Sequence, residues 1–458
     1  MRSYLSILFS SSIIIIVAFA VVVLQVIDRT AGETLTSTGG SISQVMIIYS
    51  IITVISLIVQ NFLLVVCAKT AFGVKKTNSH SRSGTIITYL YLVSHITTIV
   101  LIAYLLWDQL AFSTYPIILS QTIVAASLMI SAITLASVSV TFVKSYSSHR
   151  NKIVGVYALA MIALSAQLIS AFFYVEISLS SKPEYITPDR NPWATYNYNA
   201  LQSKALSIYE VNKAISFIAL WVASVFLTKQ YAQKMSKTKY WIIVSIPVAY
   251  FLFQYSPILL TQTGTLSSLI MQEDPIYLYF YTFVLNTVSV GAGILFGISF
   301  FIVSRSLTYK QLKFYLIISG AGIMIVFSNS LSTILTLVPF PAWSIASLSF
   351  ILPASFLLLI GLDITIYHIA RDKSIRGFLY NYKDQFELFR ALGSAESFKV
   401  VERNVEIVSK KIVDELETET LFKPTLESEE TKRYVKQVIT EIKESRTTRN
   451  NNRNNNSK

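Results

Sequence analysis

Long apolar runs recur along residues 1–367, and a short polar segment follows each of them. A helix needs about 20 apolar residues to cross a hydrocarbon core about 30 Å thick, and these runs reach that length. A transmembrane β-barrel would show alternating segments of about 10 residues instead. The pattern therefore predicts an all-α fold, a polytopic transmembrane helical bundle with a small amphipathic helical cytoplasmic tail. The ten predicted spans are approximately Tyr4–Ile27, Ser43–Ala68, Gly84–Trp107, Tyr115–Phe142, Ile153–Leu179, Ser207–Thr228, Tyr240–Leu260, Ile276–Val303, Leu312–Leu335 and Trp343–Tyr367.

The pattern changes in the tail, residues 368–447, where apolar positions recur every three or four residues between charged ones. This spacing predicts three amphipathic helices, with Gly393 ending the first and Ser394 capping the second. Three arrangements remain open, because the apolar stripes can fold on one another, pair between two copies or lie on the membrane. The Asn-rich end, residues 448–458, is predicted to be disordered.

Composition narrows the class of protein. Of the 458 residues, 53% are hydrophobic and 14% are charged, whereas about 25% are charged in a typical soluble domain. These values exclude a soluble globular protein and a disordered chain. Cys67 is the only cysteine, so an intramolecular disulfide and a cysteine-based metal centre are excluded as well.

Basic residues alternate between loops in a way that predicts the orientation of the chain. The chain carries a net charge of +13. Four alternate short loops contain fourteen basic residues and no acid, which is a positive-inside pattern with both termini in the cytoplasm. We therefore expect a multi-pass plasma-membrane protein in contact with the lipid bilayer. The basic residues form no patch with aromatic neighbours, so nucleic-acid binding is not expected.

The first span has a second interpretation. Arg2, the apolar run and Ala18-Phe19-Ala20 are compatible with a secretory signal and its cleavage site. The run stays apolar through Ile27, which favours a permanent span.

Catalytic motifs are absent from the sequence. We find no His-Glu-x-x-His motif, no glycine-rich phosphate loop and no paired aspartates of the kind that hold a metal. The sequence therefore predicts a protein that is not an enzyme and needs no cofactor or metal.

Polar residues within spans are the candidate functional residues, because each is costly in lipid. His95 lies near the middle of the third span, and Asn286 and Asn329 lie in the eighth and ninth. We hypothesise that the two asparagines line a small polar ligand site. The structural alternative is that all three side chains only bridge neighbouring helices.

Two further groups are charged. Glu176, Glu210 and Lys213 lie at the outer ends of the fifth and sixth spans and predict an outer-rim ion group. Asp363 and Arg371, near the inner end of the last span, predict an anchor at the cytoplasmic surface.

Glycine concentrates in the last three spans. Gly293 and Gly297 form a G-x-x-x-G motif in the eighth span, and Gly320 and Gly322 lie in the ninth. Small residues at this spacing let two helix backbones approach closely, so these four glycines predict helix packing.

The segments Ile369-Ala370-Arg371-Asp372 and Leu392-Gly393-Ser394-Ala395-Glu396, placed after ten apolar spans, resemble a group of uncharacterised archaeal polytopic membrane proteins with short helical tails. The resemblance covers about a fifth of the chain. It implies an archaeal membrane protein and carries no function with it.

Two functions fit the sequence. The first is a non-enzymatic membrane sensor or scaffold whose tail engages a cytoplasmic protein partner or a second copy of the chain. The alternative is a secondary transporter of a small solute, since ten spans divide into five plus five with opposite orientation.

Overall fold

The computed structural model describes residues 2–37, 42–75, 82–180, 185–186, 200–229, 237–253, 275–307, 309–330, 340–381, 388–397, 401 and 407–408. Over these residues the fold is an all-α bundle. The helices are α1 (Arg2–Ser37), α2 (Ile42–Lys75), α3 (Arg82–Phe112), α4 (Ile117–His149), α5 (Lys152–Ser180), α6 (Ala200–Thr228), α7 (Lys237–Phe253), α8 (Pro275–Arg305), α9 (Lys310–Asn329), α10 (Ile345–Ser349), α11 (Ile351–Arg371) and α12 (Lys373–Asn381).

Eight helical segments of the described residues are long and apolar enough to cross a membrane, which indicates a multi-pass membrane protein. Thr238–Leu252 and Val290–Arg305 are shorter apolar helices and correspond to the seventh and eighth predicted spans. The eight segments are Ser11–Gly32, Ile42–Lys69, Thr88–Phe112, Ile117–Ser147, Lys152–Ser180, Ala200–Thr228, Lys310–Asn329 and Ile345–Arg371.

Helices α9 and α11 form the centre of the bundle. They pack along each other, with α1 and α8 against α9 and with α2 and α4 against α11. Every residue from Leu316 to Ser330 is buried. A helix that is apolar on all sides, as α9 is, can be covered only by surrounding helices. Helices α4, α5 and α6 pack in sequence beside this centre.

The four glycines of the predicted packing seam lie where backbones approach closely. A Cβ atom at Gly293 would lie 2.8 Å from the Met324 carbonyl oxygen, and one at Gly297 would lie 2.8 Å from the Gly320 carbonyl oxygen. A Cβ at Gly322 would lie 2.7 Å from the Ala354 carbonyl oxygen of α11. The glycines therefore join α8 to α9 and α9 to α11.

Helix α9 ends at Asn329. The predicted end of the ninth span at Leu335 lies outside the described residues. The chain is next described from Phe340, where residues 340–344 are not helical and 341–344 are buried. The short helix α10 then begins and leads into α11. Non-helical backbone at membrane depth is tolerated only where protein or a water-filled cavity covers it.

Two short segments between helices pair as β-strands. Strand β1 (Tyr115–Pro116), just before α4, pairs antiparallel with strand β2 (Tyr185–Ile186), which follows α5. The other residues between α5 and α6, 181–184 and 187–199, lie outside the described residues.

The first part of the tail packs on the end of α11. Leu379, Leu388, Phe389 and Leu392 are each 1% exposed and belong to the same apolar core as the bundle. The predicted helix end at Gly393 is wrong, because residues 388–397 are helical throughout. A Cβ at Gly393 would overlap the Ile369 side chain, so this glycine provides close packing. The predicted third tail helix and the Asn-rich end lie outside the described residues.

Candidate functional site

A buried carboxylate joins α1 to the start of the last span. Asp28 is 1% exposed, and its Oδ2 accepts hydrogen bonds from the Ser344 amide at 3.1 Å and the Ser347 hydroxyl at 2.5 Å. The predicted first span ends at Ile27, so Asp28 falls just outside it. In the structure Asp28 lies within α1, one turn beyond Gln25 on the same helix face.

Gln25 extends the same contact to the end of α9. Its Nε2 donates to the Ser328 carbonyl oxygen. The Tyr209 hydroxyl of α6 donates to the Ser330 carbonyl oxygen at 3.1 Å, and Gln167 of α5 donates to the Ser330 hydroxyl at 3.1 Å. The last carbonyls of a helix lack partners within the helix, so side chains from three helices satisfy this end. We call Gln25, Asp28, Ser328, Ser330, Ser344 and Ser347 the junction.

His95 lies in a second polar contact between α2 and α3. It is fully buried, and its Nε2 lies 3.4 Å from the Gln60 carbonyl oxygen. The Gln60 side chain donates to the Ala346 carbonyl oxygen at 3.1 Å and to the Ser349 hydroxyl at 2.5 Å. His95 therefore contacts the backbone of the glutamine whose side chain binds Ala346 and Ser349 of α10.

A third group surrounds Tyr49 of α2. The Tyr49 and Trp343 rings pack edge to face with centroids 5.3 Å apart. Thr53 and Gln109 lie beside the Tyr49 hydroxyl. Trp343 also covers Gly32, where a Cβ would lie 3.0 Å from the indole. The segment before α10 is thus enclosed by α1, α2 and α3.

The structure describes the side chain of only one of the two predicted asparagines. Asn329 is fully buried, and its Nδ2 donates to the Ile325 carbonyl oxygen of its own helix at 2.9 Å. Asn286 lies in α8, but its side chain is outside the described residues. A ligand site between these two residues stays a prediction.

The predicted ion group contains one close pair. Lys213 Nζ lies 3.1 and 2.9 Å from the two carboxylate oxygens of Glu210, one turn earlier on α6. The Lys213 side chain is 7% exposed and that of Glu210 is 28% exposed. Glu176 is half-buried on α5 and makes no ion pair within the described part of the chain.

The predicted anchor residues lie at the other end of α11. Asp363 and Arg371 are exposed, and the Arg371 guanidinium lies 4.8 Å from the centroid of the Tyr367 ring. Asp372 follows and accepts hydrogen bonds from the Ser374 amide at 2.8 Å and the Ile375 amide at 3.3 Å. Desolvation acts to raise the pKa of Asp372, but these hydrogen bonds hold the pKa below its usual value.

The described side chains at these sites form hydrogen bonds and one ion pair. Within the described residues, no group of three His, Cys, Asp or Glu side chains is arranged to hold a metal ion. The junction was not predicted from the sequence, because Asp28 lies one residue beyond the end of the predicted first span. The available signal was the Gln25–Asp28 spacing of three residues at the end of an apolar run.

Comparison with known proteins gives no match to a family model, to a curated protein or to a solved structure. The functional argument therefore depends on the residues of this chain.

Proposed function

We propose that the protein is a non-enzymatic sensor of the plasma membrane, with ten spans, cytoplasmic termini and a helical tail that engages a cytoplasmic protein partner. One observation carries the proposal. The helical segment Ile345–Arg371 is bonded to the junction at its start and contacts the tail at its end. A change at the junction therefore has a direct structural route to the tail.

At its start, this segment depends on contacts from other helices. Asp28 binds Ser344 and Ser347, and Gln60 binds Ala346 and Ser349. These bonds lie in a buried environment, where hydrogen bonds are strengthened and an unpaired group is costly. Such a contact has two distinct states, made or broken, as a switch requires.

At its end, the same segment holds the tail. The Ser397 hydroxyl donates to the Ala370 carbonyl oxygen at 3.0 Å, and Arg376 donates to the Ser397 hydroxyl at 2.7 Å. Ile369 packs against Gly393. Tyr309, which precedes α9, adds a hydroxyl contact of 3.1 Å with Ser374 of α12. A shift of α11 would therefore disturb the docked surface of residues 388–397.

The orientation in this proposal comes from the alternating basic loops, which predict that the tail lies in the cytoplasm. The junction then lies towards the outside, and the tail faces a cytoplasmic partner. This arrangement is what a sensor of an external or membrane signal needs.

The transporter alternative receives less support from helix packing. An inverted five-plus-five repeat would relate α1 to α6 and α9 to α4. The packing of α1 along α9 would then have a counterpart between α6 and α4. Among the described residues, α1 packs closely on α9, whereas α4 and α6 have no comparable contact.

Thiol reactivity in the reconstituted full chain tests the proposal. Cys67 is buried, and Cys67→Ala removes it as a background. Ala395→Cys then places a thiol on the docked tail surface, where Ala395 is 3% exposed. We expect Asp28→Asn to raise the rate of thiol modification at position 395 about fivefold or more, because a coupling of about 1 kcal/mol changes a population by that factor.

Two controls separate coupling from general loosening. Val401→Cys, at a position 46% exposed, should react rapidly in every background. Asp108→Asn, at the end of α3 nearest β1, should leave position 395 protected. Equal protection of position 395 in the Asp28→Asn variant and the parent would contradict the proposal.

A further inference from the structure

The group around Tyr49 contains more buried polar atoms than its own hydrogen bonds use. Within the part of the chain that the structure describes, the Trp343 indole nitrogen and the Ser344 hydroxyl have no hydrogen-bond partner. The Thr53 hydroxyl and the polar atoms of the Gln109 side chain lie near the Tyr49 hydroxyl, but none of them has a partner in full hydrogen-bonding geometry. These four residues are each about 1% exposed or less. Buried polar groups are normally paired, so a set of them in one place needs an explanation.

These atoms lie close together. Thr53 and Gln109 both lie beside the Tyr49 hydroxyl, and the Trp343 ring packs on the Tyr49 ring. Ser344 follows Trp343 and is held by Asp28 through its amide. Helices α1, α2 and α3 and the segment before α10 therefore meet at this group of buried polar residues.

The types of atom define the ligand. The Trp343 indole can only donate, the Gln109 amide both donates and accepts, and the two hydroxyls do either. The Asp28 carboxylate beside the group disfavours an anion, and the indole and amide N–H donors disfavour a cation. A small uncharged molecule that carries both a donor and an acceptor matches this set.

We propose that the Tyr49 group, comprising Tyr49, Thr53, Gln109, Trp343 and Ser344, binds a small uncharged amide or hydroxyl compound. This inference rests on the proposed sensor function and names the class of signal. The ligand would bridge Gln109 of α3 to the segment that starts the last span. It would thereby stabilise the state in which the junction is closed.

Thermal unfolding of the full chain with three probes of similar size tests this inference. The probes are acetamide, acetate and methylammonium at constant ionic strength. Acetamide should raise the unfolding midpoint in a saturable manner with a millimolar dissociation constant, because a ligand that binds only the folded state stabilises it. Acetate and methylammonium should have no saturable effect. No saturable shift with acetamide, or an equal shift with methylammonium, would overturn the assignment.

Matched variants identify the atoms involved. Gln109→Leu should abolish the acetamide shift, because it removes both the donor and the acceptor of the amide. Trp343→Phe should weaken acetamide binding at least about threefold. Trp221→Phe should leave it unchanged, because the Trp221 indole already donates to the Val244 carbonyl oxygen at 2.9 Å. An unchanged acetamide shift in Gln109→Leu would refute the site.

These results are independent of the tail. Binding is measured by stability, and coupling is measured by thiol reactivity at position 395. Failure of acetamide binding with intact coupling would refute the ligand class alone. Intact binding without coupling would refute the sensor proposal alone.

Discussion

Replacing Asp28 should weaken the contact between α1 and the last span by a predictable amount. Among the described residues, its carboxylate accepts hydrogen bonds from the Ser344 amide and the Ser347 hydroxyl, both buried. Hydrogen bonds to a charged group contribute about 1.5–3 kcal/mol each, so Asp28→Ala removes about 3–6 kcal/mol. Release of the carboxylate from a buried position offsets part of this, which leaves a net loss of about 2–4 kcal/mol. Asp28→Asn keeps one acceptor oxygen and should lose about 1–2 kcal/mol.

The assay is the thermal unfolding midpoint of the purified full chain in one detergent. We expect the midpoint to fall from the parent to Asp28→Asn and further to Asp28→Ala. Asp108 provides the matched control. It is a half-buried aspartate for which no hydrogen bond or ion pair is found among the described residues, and Asp108→Ala should cost less than about 0.5 kcal/mol. If Asp28→Ala lowers the midpoint no more than Asp108→Ala, the junction does not stabilise the bundle as argued.

Three further predictions concern other parts of the chain. Gly322→Ala should destabilise the protein by about 1–3 kcal/mol in thermal unfolding, because the new Cβ meets backbone atoms of α11. Gly377→Ala should be neutral or stabilising, since nothing lies within 4 Å of its Cβ. Equal effects of the two substitutions would contradict the packing role of Gly322. Glu210→Ala should cost about 1–3 kcal/mol by leaving the buried Lys213 ammonium without its carboxylate, and Glu210→Ala combined with Lys213→Met should recover most of the loss. Asp372→Ala should weaken docking of α12 by about 0.5–2 kcal/mol, measured by amide exchange of residues 374–381. Because the pKa of Asp372 is lowered, its hydrogen bonds to the start of α12 should be fully effective above the usual aspartate pKa and be lost as the pH falls through the lowered value. Amide exchange of residues 374–381 that changes with pH only by its intrinsic dependence would contradict this prediction.

The helical bundle could be predicted from the sequence because its signal is local. A run of about 20 apolar residues is stable in lipid as a helix, and eight helical segments of the described residues have such a run. The close backbone approaches at Gly293 and Gly297 also have a local signal, since only small residues at that spacing permit them.

The junction could not be predicted in the same way. Asp28 and Ser344 are 316 positions apart, and no short-range pattern states that they meet. The contacts at the end of α9 have the same cause, because α1 and α6 donate to the Ser328 and Ser330 carbonyl oxygens and α5 donates to the Ser330 hydroxyl. The predicted helix end at Gly393 was wrong because a glycine can allow close packing within a helix as well as end one.

The central claim is that the junction and the tail are coupled through the segment Ile345–Arg371. Coupling between two sites is reciprocal, so a change in the tail must alter the junction. The most direct measurement is amide exchange of residues 345–349 in lipid nanodiscs, compared between the parent and Ser397→Ala. We predict faster exchange at residues 345–349 in Ser397→Ala, with exchange in α5 unchanged. Identical exchange at residues 345–349, despite faster exchange at 388–397, would contradict the coupling.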